Sequence, residues 1–179
     1  MLSSERSFRD NLITLPKTRT TQVQAPHRRR TADPFVVRRS VISAFECEAI
    51  LCGACFPIRY YRSNSTLFDC RVEIAYVKNN SAPELFRFIE KLAIGANIWN
   101  LSVTKITEDI RIQRYKKGDY SKTHTDYDTS AMDYSKLTVV IPLVDRSDWE
   151  GGDLQIGNGL YMPRLTVGDA VVFPRETRI

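Results

Sequence analysis

The sequence predicts a mainly β domain whose helices come first, packed on the outside of a β-sandwich or double-stranded β-helix (jelly roll). Two observations carry this. Both segments with helical signals lie before residue 100, and the chain beyond them reads as short β-forming runs divided by Gly-Gly, Gly-Asn-Gly and Gly-Asp turns. The polar first 34 residues show neither periodicity, which leaves 35–179 as the expected domain and 1–34 as a basic, disordered arm.

Phe35-Val36-Val37 is expected as a short strand. Ser43-Ala44-Phe45-Glu46 is a capping-box pattern, and the apolar residues after it predict a helix over about 44–55. Pro57 and the polar Arg62–Thr66 group mark 56–70 as a loop, and Arg71–Val77 alternates as a half-buried strand does. Ser81 and Pro83 open a second helix whose Leu85, Phe86, Ile89, Leu92, Ala93 and Ala96 follow the 3.6-residue period. Ile110–Tyr115 alternates again, with Arg111, Gln113 and Tyr115 on one face. Residues 116–129 are polar and suit a loop at a barrel mouth. Leu137–Val144 is a dense β run in which Pro142 points to an edge or bulge, and Ala170–Phe173 is the last strand.

The net charge of +5 is unevenly placed. Residues 1–40 hold nine Lys and Arg against three Asp and Glu, the rest seventeen against eighteen. Basic character therefore belongs to the arm, and the near-neutral domain argues against a nucleic-acid partner. No apolar run approaches the roughly 20 residues that span a bilayer. Cys47, Cys52 and Cys55 have the spacing of an iron–sulfur loop, but on a helix their thiols fan over an arc of about 140° and cannot meet. With Cys70 they are expected as buried, reduced structural thiols, which places the protein in the cytoplasm.

The most informative stretch is Tyr115-Lys-Lys-Gly118-Asp119-Tyr120-Ser-Lys-Thr-His124-Thr-Asp126. In an extended segment residues i and i+2 project to the same side, so His124 and Asp126 can converge on one ion. Imidazole and carboxylate are two thirds of the facial triad of non-haem Fe(II) oxygenases. The chain holds one other histidine, His27, within the arm.

Together with Lys136-Leu137-Thr138-Val139, Glu150-Gly151-Gly152-Asp153-Leu154 and Gly168-Asp169-Ala170-Val171-Val172-Phe173-Pro174, that stretch resembles the Fe(II)/2-oxoglutarate-dependent dioxygenases, in the prolyl-hydroxylase-type (PKHD-like) branch. The resemblance covers about residues 35–179. It implies a double-stranded β-helix with His124 and Asp126 as metal ligands and Tyr115 facing the co-substrate pocket. It also implies Fe(II), 2-oxoglutarate and O₂, with ascorbate as a further candidate. The implied reaction hydroxylates a C–H bond of an amino-acid, peptidyl or small-molecule substrate as 2-oxoglutarate is decarboxylated to succinate. Relatives place a distal histidine a few residues beyond the Phe-Pro, and a basic clamp for 2-oxoglutarate after it. Here Arg175-Glu176-Thr177-Arg178-Ile179 follows, with no role assigned to either arginine. The domain is thus expected to lack its C-terminal strands, and activity of the 179 residues themselves is doubtful. The competing readings are a non-catalytic β-helix binding module and, from the basic arm, a nucleic-acid-repair oxygenase. Oligomeric state and substrate are not legible; loops 56–70 and 127–135, with Tyr127, Asp128, Asp133 and Tyr134, are the expected substrate-facing segments.

The arm's composition cannot offset the entropy of ordering it. Deleting residues 1–30 is therefore expected to leave the melting temperature within a few degrees of the full chain's in a thermal melt.

Overall fold

Two antiparallel sheets make up the domain in the computed structural model, which describes residues 33–65, 70–126, 136–148 and 150–179. The first sheet has the order β1-β7-β6, from Val36–Arg38, Ala170–Pro174 and Leu137–Val140. The second runs β2-β3-β4, from Tyr61–Ser65, Cys70–Val77 and Ile110–Arg114, and the short β5 (Tyr120–Ser121) pairs with the start of β3. Two helices, α1 (Ala44–Leu51) and α2 (Pro83–Ala96), lie between strands of the N-terminal half.

Alternation along β3 decides which face meets the helices. Ala75 and Val77 pair with Ile112 and Ile110 of β4, and this face packs with Ile50, Phe56, Ala82 and Phe86 in one apolar cluster. Burying such side chains contributes about 1.5–3 kcal/mol each, which outweighs the weak intrinsic helicity of an eight-residue α1. The other core gathers Ile156, Val171 and Phe173, with Phe35, Val37, Val140, Leu154, Leu165 and Ile179 around them. Every residue of β7 is buried. That explains an unbroken apolar run where a half-exposed strand would alternate: β7 is paired on both edges and covered on both faces.

The entry to β7 holds the first sheet together. Asp169, 1% exposed, accepts hydrogen bonds from Ser40 N (2.8 Å), Thr166 N (2.9 Å) and Thr166 Oγ1 (3.0 Å), and pairs with Arg39 at 2.6 Å. Beside it the Gly168 carbonyl accepts from Val41 N and Ile42 N, while Gly168 N donates to Pro142 O. One turn thus ties the exit of β1, the approach to α1 and the end of β6. Only glycine fits there. Its φ is +77°, and a Cβ would stand 1.8 Å from Ile42 O.

Several sequence expectations change. The capping box is present, with Ser43 and Glu46 bonded reciprocally, but α1 ends at Leu51 rather than near 55 because Gly53 takes φ +73°. The second helix starts at Pro83 with Ala82, not Ser81, as N-cap. The 56–70 segment, expected as a loop, contains β2, paired with β3 from Tyr61↔Ile74 to Ser65↔Cys70. Its polar residues hid a strand whose stabilisation comes from cross-strand partners. The run 137–144 forms a strand only to Val140, and among the described residues β6 is an edge, as Pro142 implied. Cys47 is buried, Cys55 and Cys70 are half-buried and Cys52 is exposed, so Cys52 departs from the expected buried thiols; none of the four is in a disulfide. The arm except residues 33 and 34, His27, and loop 127–135 lie outside the described residues. No helix among the described residues is long and apolar enough to cross a membrane.

Burial pushes the Asp169 pKa up, but the hydrogen bonds from Thr166, Ser40 and Arg39 outweigh it and hold the group at about 2 against an ordinary 3.8. A carboxylate with a lowered folded pKa stabilises fully above its unfolded value, and that contribution is lost as pH falls towards 2. Asp169→Asn is expected to cost on the order of 2 kcal/mol at neutral pH. In urea titrations the wild-type advantage should shrink steadily between about pH 4 and pH 2.

Candidate metal centre

The second sheet positions the segment that leads to His124. Between β4 and β5 the chain makes a tight excursion through Gly118, at φ +83°. Two carboxylates pin it. Asp119 takes both Arg62 guanidinium nitrogens (2.7 and 2.5 Å) and Lys116 N (2.9 Å), with Arg71 at 3.5 Å. Glu73 takes Arg114 Nε (2.7 Å) and Lys116 Nζ (2.5 Å). Arg62, Glu73 and Arg114 form one cross-strand row, so the polar residues of β2 are there to meet this network. The Arg62 bond, and after it the Lys116 amide, hold the Asp119 pKa down at about 2. The Arg114 guanidinium also lies 4.0 Å above the Tyr60 ring.

Beyond β5 the chain bends at Thr123 and meets the residues that follow β7. Thr125 bridges Arg178 antiparallel, and His124 and Ile179 exchange both backbone hydrogen bonds at 2.8 Å. On its other side this segment is held by Gly157 N, which donates to Arg178 O at 2.7 Å. The bridge at Thr125 lies between the two candidate ligands, and their side chains approach each other. His124 Nε2 lies 3.7 Å from Asp126 Oδ1, and both side chains are mostly buried.

Their neighbours orient them. His124 Nδ1 lies 2.7 Å from the Lys122 carbonyl. A carbonyl only accepts, so Nδ1 carries a proton, and in the neutral ring the Nε2 lone pair is turned towards Asp126. The carboxylate is held by Thr138, whose Oγ1 donates to Oδ2 at 2.7 Å. Two lone-pair donors at 3.7 Å are too far apart for a hydrogen bond and are suited to sharing a cation. Fixing one imidazole nitrogen on a carbonyl while the other faces a ligand position is how metal-binding histidines are commonly oriented. The donor chemistry therefore fits two neighbouring positions around a divalent ion. Among the described residues no group of three His, Cys, Asp or Glu side chains could hold one.

This chain shares its fold with a known hydroxylase. The crystal structure of a Pseudomonas putida prolyl-4-hydroxylase superposes on it with a TM-score of 0.56 over 82% of this chain and 83% of that one, at 13% identity. At that identity the likeness is one of fold. No protein-family model matches the sequence, and neither does any curated protein.

The third sequence candidate, Tyr115, follows β4 and hydrogen-bonds Gln113 Oε1 (3.4 Å) and Ser121. Desolvation of the phenol, and after it the Cys70 thiol, push its pKa up. Arg111 and Gln113 share an exposed face opposite buried Ile112, as their alternation implied.

Sequence reasoning missed Arg175. It is 7% exposed, its Nε donates to the Asp126 carbonyl at 2.5 Å, and Nη1 pairs with Glu108 at 2.7 Å. Arg175 thus locks the candidate ligand segment to the end of β7, where Arg175 N also donates to Lys136 O. The only available signal was a charge placed directly after a fully apolar strand, and that pattern alone does not separate a buried arginine from a solvated one.

Arg175→Met is expected to lower stability by about 1–3 kcal/mol, the value of a charge-assisted bond to a buried group. Hydrogen exchange should show faster exchange at the His124 and Ile179 amides than in wild type.

Proposed function

We propose that this domain is a metal-dependent oxygenase of the 2-oxoglutarate type, with a double-stranded β-helix in which His124 and Asp126 hold a divalent ion. The observation that carries it is the orientation of the pair: Nδ1 of His124 is tied to Lys122 O, which aims Nε2 at Asp126 Oδ1. The fold shared with a prolyl-4-hydroxylase supports the reading. Fe(II) is the ion that the PKHD-like sequence resemblance implies, and when bound it would supply the oxygen chemistry of C–H hydroxylation with 2-oxoglutarate and O₂ as co-substrates. The chain's own residues orient the ligands and shield them: Thr138 and Arg175 fix Asp126, Lys122 fixes His124, and Tyr115 is the candidate for the co-substrate pocket. The substrate class proposed is an amino-acid, peptidyl or small-molecule C–H donor. The third ligand and the carboxylate clamp are proposed to come from outside the described residues.

One observation favours a second reading. Only two donors meet among the described residues, and a β-helix with an incomplete triad would serve as a binding module without turnover. Co(II) titration and succinate release separate the two.

The 179-residue chain is expected to bind Co(II) weakly, through a signal that His124→Ala and Asp126→Ala both abolish. Succinate release from 2-oxoglutarate with Fe(II) should be low. It should rise when imidazole is added to occupy the third position. A Co(II) signal indifferent to both alanine variants would remove the metal reading. Co(II) binding at the pair with no turnover even with imidazole would favour the binding module.

A further inference from the structure

Asp126 presents its two oxygens to different partners. Oδ2 accepts the Thr138 hydroxyl at 2.7 Å, and Oδ1 faces His124 Nε2 at 3.7 Å. Thr138 is well placed to impose this. It lies on β6 paired with Phe173 of β7, the most buried strand of the fold, so its Cα has little freedom to move. A β-branched side chain in a strand also has few χ1 choices, which limits where its hydroxyl can aim. The Asp126 backbone is fixed separately by Arg175 Nε on its carbonyl. With main chain and Oδ2 both held, the carboxylate is left one oxygen for a further partner.

We propose that Thr138 is a positioning residue that sets the denticity of Asp126: by occupying Oδ2 it makes the carboxylate a one-oxygen ligand and aims that oxygen beside His124. This rests on the metal reading of the pair. A monodentate carboxylate occupies one coordination position where a bidentate one would occupy two, so the hydroxyl preserves a position for a co-substrate. Without it the carboxylate can rotate, and both of its oxygens become available to the ion or to solvent. The Thr138 hydroxyl is spent on Asp126 Oδ2, so its effect passes through Asp126.

The test compares Thr138→Val, which keeps the shape and removes the hydroxyl, with Thr138→Ser, which keeps the hydroxyl. Co(II) alone is the probe. Its visible absorption reports coordination number, its titration gives an affinity, and His124→Ala identifies the band that belongs to this site. The expected result is a Val variant with at least about tenfold weaker Co(II) binding, as for lost outer partners of metal ligands, and with an altered spectrum. The Ser variant should restore both. Thermal melts of the two variants should be alike, which separates positioning from a general loss of fold. Unchanged or tighter binding with an unchanged spectrum in the Val variant overturns the proposal, as does a Ser variant that behaves like Val. If the wild-type Co(II) band survives His124→Ala, the metal reading itself fails, and it fails visibly before Thr138 is considered.

Discussion

A carboxylate sealed behind the first strand carries the architecture. Asp169 gathers donors from the exit of β1 and from the turn before β7, and the adjacent Gly168 joins the approach to α1 and the end of β6. Three segments far apart in sequence are thereby aligned on one short stretch of backbone. An anion at 1% exposure is tolerable only because its oxygens are met by fixed N–H and O–H groups. The arrangement also sets where β7 begins, and so where it ends. Arg175 and Ile179, which hold the His124–Asp126 segment, are delivered by that strand. The candidate site inherits its geometry from a turn at the other end of β7.

A second pair of carboxylates acts at the opposite approach. Asp119 and Glu73 lie beneath cations, of which Arg71, Arg114 and Lys116 are half-exposed and Arg62 is mostly buried. Individually such pairs contribute little. Their use here is conformational. By sharing four cations between two acceptors they hold the excursion between β4 and β5 in one shape, and that shape decides the direction in which residues 122–126 leave the sheet. The two ends of the candidate segment are therefore fixed by different means, one by a buried strand and one by surface electrostatics, and the latter weakens with salt.

Much of this was legible in the residues. Periodicity located β3, β4 and α2, because each has a face whose burial dominates its conformation, while a capping box marked α1 and an unbroken apolar run marked β7. The His-x-Asp spacing led to a pair whose side chains do face the same way. What escaped shares a cause. β2 is polar because its side chains serve ion pairs with β3 and the 116–119 turn, so its strand character lies in its partners and not in its own composition. Arg175 offered no role to the sequence reading because burial of a cation depends on an acceptor, here the Asp126 carbonyl, that is 49 residues away. Thr138 stood within a recognised motif, yet its task depends on a contact twelve residues back in the chain. Local sequence registers preferences for helix and strand. It does not register which distant acceptor a polar group will reach.

The reciprocal backbone pairing of His124 with Ile179 has a practical side. Anything joined to residue 179 emerges beside the candidate ligands. A polyhistidine purification tag placed there would bring imidazoles into reach of Asp126, at an effective concentration of about millimolar. Such a protein could load metal, and even show iron chemistry, through borrowed nitrogens. Recombinant material intended for metal analysis is better tagged away from residue 179.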